Sequence, residues 1–110
     1  SVAGLPTDTF LFAGFLPPRS GARQSRIAEL ATIPATLVFF EAPTRVADTL
    51  AELSATLGNR PAAVARELTK LHEAVARGSL SDLAERFTAE PQKGEMVIIV
   101  GPPTSEVVTD

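Results

Sequence analysis

The sequence predicts an α/β domain, a mixed sheet of about five strands with flanking helices, on three observations. Short apolar runs of strand length alternate with longer amphipathic stretches, and proline or glycine separates most of them. The amphipathic stretches are long enough to serve as crossovers between parallel strands. One link, between the third apolar run and the segment at 73–77, is too short for that and implies an antiparallel pair.

The run "TFLFAGFLPP", positions 9–18, is apolar and aromatic, so it is expected to be a first strand buried on both faces. Ser20 is placed to cap a first helix that runs to about Ile33 and stops at Pro34, with Ile27, Leu30 and Ala31 on one side. "ATLVFFEAP", 35–43, forms the second strand and ends at Glu41. From Thr44 to Leu57, Val46, Leu50, Leu53 and Leu57 recur every three or four residues, a helical stripe that Gly58 closes. Positions 61–68 form the third strand and 73–77 a short edge strand, after which Gly78 is expected to turn the chain. Ser79 and Asp82 have the spacing of a capping box ahead of Leu80, Leu83 and Phe87. "EMVIIV", 95–100, is the last strand.

At 110 residues the chain has room for one core. Its start at Ser1, and a strand-like run within ten residues of it, suggest a piece of a longer protein. The net charge of −3 argues against a domain devoted to gripping nucleic acid, so any such contact needs a local patch. Arg19, Arg23 and Arg26 are the only basic concentration, and Arg23 and Arg26 share a helix face. They read either as a solvated polar face or as a contact for RNA phosphates. The absence of cysteine removes disulfides and thiolate metal sites and fits a reducing compartment. No apolar run reaches the roughly 18 residues of a membrane span and the N-terminal residues lack the charged-then-apolar profile of a signal peptide, so a cytoplasmic protein is expected.

Ionisable residues crowd the end of the third strand: Arg66, Glu67, Lys70, His72 and Glu73. They suit a solvated strand end with ion pairs worth about 0–1 kcal/mol each. Composition alone favours that reading, but they also suit a binding rim, because open α/β sheets bind ligands beyond the carboxyl ends of their strands. Glu41 lies at another such end, and parallel strands would bring the two groups to one rim. Glycine-rich dinucleotide and triphosphate loops are absent. His72 is the only histidine, which excludes multi-histidine metal sites, and no G-x-S-x-G elbow accompanies it.

Taken together, "GLPTDTFLFAGFLPPRSGARQSRIAEL", "ATLVFFEAPTRVADTLAEL", "ARELTKLHEAVARGSLSDL" and "KGEMVIIV" resemble the C-terminal half of the 16S ribosomal RNA (cytidine-2′-O)-methyltransferases, a branch of the tetrapyrrole methylase superfamily. The resemblance runs from position 4 to position 101. It implies that 1–110 is the second of two domains, with the first absent, in a homodimeric enzyme that holds S-adenosylmethionine between its domains and uses no metal. It carries Phe40, Glu41 and Ala42, the block Arg66, Glu67, Leu68 and Thr69, and the pair Gly94 and Glu95 over as cofactor contacts. Arg19, Arg23, Arg26 and Lys70 become the RNA-binding candidates, and the catalytic base stays unassigned. Phe40 and Thr44 stand where relatives often have Tyr and His, which removes the phenol hydroxyl and the imidazole from those positions. The fragment alone is expected to be inactive. A tetrapyrrole methylase and a noncatalytic dimerisation module are the alternatives.

Overall fold

The computed structural model describes residues 9–66, 74–90 and 94–103. In chain order the elements are β1 (Phe10–Phe15), α1 (Ser20–Leu30), β2 (Thr36–Glu41), α2 (Val46–Leu57), β3 (Pro61–Arg66), β4 (Ala74–Ser79), α3 (Leu80–Ala89) and β5 (Met96–Val100). The sheet has the order β1-β2-β5-β3-β4. β1 and β2 are parallel, joined through α1, and every other neighbouring pair is antiparallel. This is the mixed five-stranded α/β sheet expected from the sequence.

Alternation assigns each strand residue to a face. On β5, Met96, Ile98 and Val100 are fully buried while Val97 and Ile99 are half-buried. The buried set continues into Leu37 and Phe39 of β2 and Val64 of β3. It packs against Ile27 and Leu30 of α1, Leu50 and Leu53 of α2, and Leu83 and Phe87 of α3 in one cluster. All three helices therefore lie on one side of the sheet. The molecule's shortest dimension, 23 Å, matches two layers.

β1 departs from the reading as a strand buried on both faces. Phe10, Phe12 and Phe15 are 58, 72 and 62% exposed, because β1 is an edge strand and the sheet's second face is uncovered among the described residues. The register with β2 shifts between Phe12 and Gly14, where Gly14 takes φ of 70°, a value that suits glycine. One extra residue reverses the parity of the strand. Phe15 thus joins Phe12 on the open face, and Leu16 turns into the core.

Three boundaries also differ. Arg19, not Ser20, occupies the cap position of α1, with no side-chain cap bond, and Ser20 is the first helical residue. The helix ends at Leu30 and passes into tighter turns in which Ala31 and Ile33 N–H donate to the carbonyls of Ala28 and Leu30. Pro34 disfavours helical geometry at Ile33, so the ending falls earlier than the last apolar residue. Gly78 does not turn the chain: it pairs with Ala62 inside β4, which runs on to Ser79. Ser79 then caps α3, its Oγ accepting from Asp82 N–H at 3.2 Å. Glu67 and Leu68, expected in the third strand, and Glu73 lie outside the described residues.

Arg60 secures the end of the sheet away from the carboxyl ends of β2 and β3. It is 5% exposed, and its guanidinium donates to the carbonyls of Ala31, Leu57 and Gly101 at 2.9, 3.1 and 3.4 Å. Two of these carbonyls terminate α1 and α2, where a helix carries partial negative charge. Burial pulls the guanidinium below its usual pKa, and the carbonyls supply what a carboxylate would elsewhere. Replacing Arg60 with Leu leaves these acceptors without their donor. We expect a loss of about 2–4 kcal/mol in urea unfolding, with Lys restoring only part because it lacks the planar fork.

Candidate functional site at the sheet rim

β5 runs antiparallel to both β2 and β3, so β2 and β3 point the same way although they do not touch. Met96 is the register partner of Glu41 on one side and of Arg66 on the other. The two charged strand ends therefore share one row and one rim, a single strand apart. Gly94 and Glu95, both exposed, enter the same rim immediately before β5, and Gly94 makes that entry with φ of 92°. Phe40 lies one residue back on the open face, its ring 5.6 Å from that of Phe15.

Glu41 is 5% exposed and is committed internally. One carboxylate oxygen accepts from Thr49 Oγ1 at 2.7 Å and the other from Ala42 N–H at 2.8 Å. The Ala42 carbonyl accepts in turn from Arg45 N–H at 3.0 Å. Glu41 thus fastens the turn after β2 to the first turns of α2. The side chain shapes the rim and does not project from it.

The loop after β1 is fastened to the same helix. Arg23 grips Glu52 of α2 with two bonds, Nε to Oε1 at 2.6 Å and Nη2 to Oε2 at 2.8 Å. Its remaining nitrogen donates to the Pro18 carbonyl at 2.8 Å and the Pro17 carbonyl at 3.4 Å. Arg45 adds a contact of 3.4 Å to Pro18. Because β1 and β2 are parallel, this loop also reaches the rim.

The candidate residues therefore divide. Phe40, Glu41, Ala42, Arg66, Gly94 and Glu95 are brought together at the rim. Glu67, Leu68, Thr69, Lys70 and His72 lie outside the described residues. Arg19 is exposed at the head of α1. Arg23 turns inward onto Glu52, while Arg26 stays on the surface and contacts Glu29 at 3.2 Å. Sequence reasoning missed Arg45 and Glu52. Glu52 follows Thr49 by three positions on α2, so the helical period would have put both near one face, but its arginine partner is 29 residues away. Beside the rim, Val64, Arg66, Ala76, Arg86, Phe87 and Glu90 help line a cavity of about 240 Å³ between α3 and the strands. Among the described residues no group of three or more side chains is arranged to hold a metal, and no helix is long and apolar enough to cross a membrane.

The model of the tetrapyrrole (corrin/porphyrin) methylases matches residues 1–84, from before β1 into α3. The chain belongs to this family. Relatives named ribosomal RNA small subunit methyltransferase I include those of Erythrobacter litoralis (strain HTCC2594), 46% identical over all 110 residues, and Mesorhizobium japonicum, 48% identical over 93% of the chain. The chain spans only 39% and 35% of the length of these two relatives. Solved structures share the fold at low identity. The methyltransferase CobJ gives a TM-score of 0.61 at 17% identity, covering 92% of this chain and 44% of that one. The uroporphyrin-III C-methyl transferase from Thermus thermophilus, complexed with S-adenyl homocysteine, gives 0.57 at 20% over 91% and 44%.

The Arg23 pair holds the Glu52 carboxyl below its usual range, chiefly through the hydrogen bonds from Arg23, against the opposing effect of burial. A carboxyl whose folded pKa is depressed adds stability above its unfolded value of about 4.3, and that stability fades as the pH falls through the folded value. Glu52→Gln is expected to unfold more easily by about 1 kcal/mol at pH 7, and the gap is expected to start closing as the pH falls below the unfolded value of about 4.3 and to vanish below the lower folded one. Urea titrations at neutral and acid pH check this, and a gap that persists in acid would contradict the ion-pair account.

Proposed function

We propose that the longer chain to which this segment belongs transfers a methyl group from S-adenosylmethionine to the ribose 2′-hydroxyl of a cytidine in 16S rRNA. The observation that carries this reading is the 46–48% identity to small-subunit rRNA methyltransferases over 93–100% of the chain. Identity to CobJ and to the uroporphyrin-III enzyme is 17–20%, a level that speaks to fold alone.

The rim residues fit one wall of a cofactor cleft. Phe40 gives apolar surface, Gly94 and Glu95 give exposed polar groups beside it, and Glu41 fixes the turn that carries Ala42. On this reading Phe40, Glu41, Ala42, Gly94 and Glu95 hold S-adenosylmethionine together with Arg66, Glu67, Leu68 and Thr69. The bound cofactor supplies a methyl group activated by its sulfonium. The wall's task is alignment: an acceptor oxygen held in line with a methyl carbon gains most of its advantage from position. The opposite wall belongs to the rest of the longer chain, so this segment alone is inert. The active form is proposed to be a homodimer, and a ribosomal substrate places it in the cytoplasm.

On this reading RNA phosphates meet the rim at Arg19 and Arg45, and Arg26 and Lys70 remain further candidates for the same contact. Arg23 acts differently from its neighbours. Its charge is matched by Glu52, and its part is to hold the loop that presents Arg19.

The first test offers labelled S-adenosylmethionine and small ribosomal subunits lacking the modification to the full-length protein, with a tetrapyrrole precursor as the competing acceptor and this segment as control. Label on a ribose 2′-oxygen, with an inert segment, supports the reading; label on the tetrapyrrole alone replaces the acceptor. A second test pairs Arg19→Glu with Arg45→Glu. We expect weaker RNA binding, a salt slope reduced by about two, and unchanged cofactor affinity. An unaltered slope would remove these residues from the RNA contact.

A further inference from the structure

Thr49 is a polar residue in the apolar stripe of α2, between Val46 and Leu53 in sequence, and it is only 2% exposed. Its hydroxyl closes a ring of four hydrogen bonds. Thr49 Oγ1 donates to one Glu41 carboxylate oxygen at 2.7 Å, and Ala42 N–H donates to the other at 2.8 Å. Arg45 N–H donates to the Ala42 carbonyl at 3.0 Å, and Thr49 N–H donates to the Arg45 carbonyl at 2.9 Å, which brings the ring back to its start. Both backbone polar groups of Ala42 are held within it.

Stability alone does not account for this ring. Valine has the shape of threonine, and a well-packed apolar pair in place of a buried carboxylate and its partner is often neutral or stabilising. A buried polar ring fixes a single geometry instead, because each bond sets the direction of the next. The geometry fixed here is that of the turn that carries Ala42 at the rim.

Glu52 does the same for the other rim loop. It follows Thr49 by three residues, about 4.5 Å along the helix axis. Arg23 donates two bonds to it and uses its remaining nitrogen to hold the Pro18 carbonyl at 2.8 Å. The Arg23 guanidinium is held above its usual pKa chiefly by its hydrogen bond to Glu52, and the charge of Glu41 adds to the effect. The two fasteners therefore lie within electrostatic reach of each other.

We propose that Thr49 and Glu52 are positioning residues that together register the cofactor wall against the loop that meets the acceptor. The inference rests on the methyl-transfer reading above and supplies its alignment device. In-line transfer needs the acceptor oxygen and the methyl carbon about 3–3.5 Å apart, and a displacement near 1 Å costs about a hundredfold. Loops on separate supports drift by amounts of that order. Here both loops are pinned to neighbouring positions of one helix, which Leu50 and Leu53 anchor in the core at zero exposure.

Each pin serves a different loop, so their effects can be separated. The full-length protein and its variants are titrated with S-adenosylhomocysteine in a calorimeter and assayed for methyl transfer to small ribosomal subunits, with circular dichroism to verify folding. Thr49→Val removes only the hydroxyl; it is expected to weaken cofactor binding about tenfold and to leave the acceptor KM within about twofold. Thr49→Ser keeps the hydroxyl and is expected to restore most of the affinity. Glu52→Ala is expected to show the opposite split, with the acceptor KM raised about fivefold and cofactor affinity unchanged. General loosening of the fold would move both parameters together in both variants. That outcome, or a Thr49→Val protein that binds cofactor as its parent does, would overturn the proposal. A parent protein that binds no S-adenosylhomocysteine would defeat the cofactor reading and this inference with it. If the parent binds it but methylates only another acceptor, the RNA reading alone falls, and the same split is then measured with that acceptor.

Discussion

β5 occupies the centre of the sheet, hydrogen-bonded to β2 on one side and β3 on the other, and the rest of the architecture depends on that insertion. Without it β2 and β3 would have no common neighbour. With it, two strands that follow each other in sequence run in the same direction with their carboxyl ends level, and Met96 becomes the shared partner of Glu41 and Arg66. The same strand carries Met96, Ile98 and Val100 into the middle of the core at zero exposure, so the element that aligns the rim also anchors all three helices. Site geometry and stability are coupled through five residues.

Charges in this molecule divide into those used up by the fold and those left at the surface. Arg23, Glu52, Glu41 and Arg60 are engaged by atoms of the chain itself, and each ties a loop or a helix end to another element. Their arrangement makes the two rim loops rigid attachments of α2. Rigid loops suit alignment chemistry, where position matters more than reactivity. Arg19 remains exposed, and Arg45 is half-buried at the same corner.

Much of the fold was legible because its signals are local. The stripe of Val46, Leu50, Leu53 and Leu57 needs only the helical period, and all four residues are buried. Ser79 and Asp82 need only their spacing of three to make a cap. The rim was legible in outline, since Glu41 and Arg66 are visibly charges at strand ends. What misled was parity and pairing. An apolar run such as 9–18 does not say whether a second layer covers it, and the irregularity at Gly14 moves Phe15 to the opposite face from the one regular alternation gives. Arg23 looked like part of a basic patch because its acid partner is distant in sequence.

The sequence by itself determined the fold class, the composition of the elements and the family, all of which rest on short-range periodicity or on ordered blocks of residues. Only the tertiary structure decided which strand sits between β2 and β3, which face of the sheet is uncovered among the described residues, and which arginines are spent inside the molecule. Those three outcomes depend on contacts between residues far apart along the chain. Periodicity records what a residue needs from its neighbours in sequence, and it carries no record of the partner that folding brings alongside.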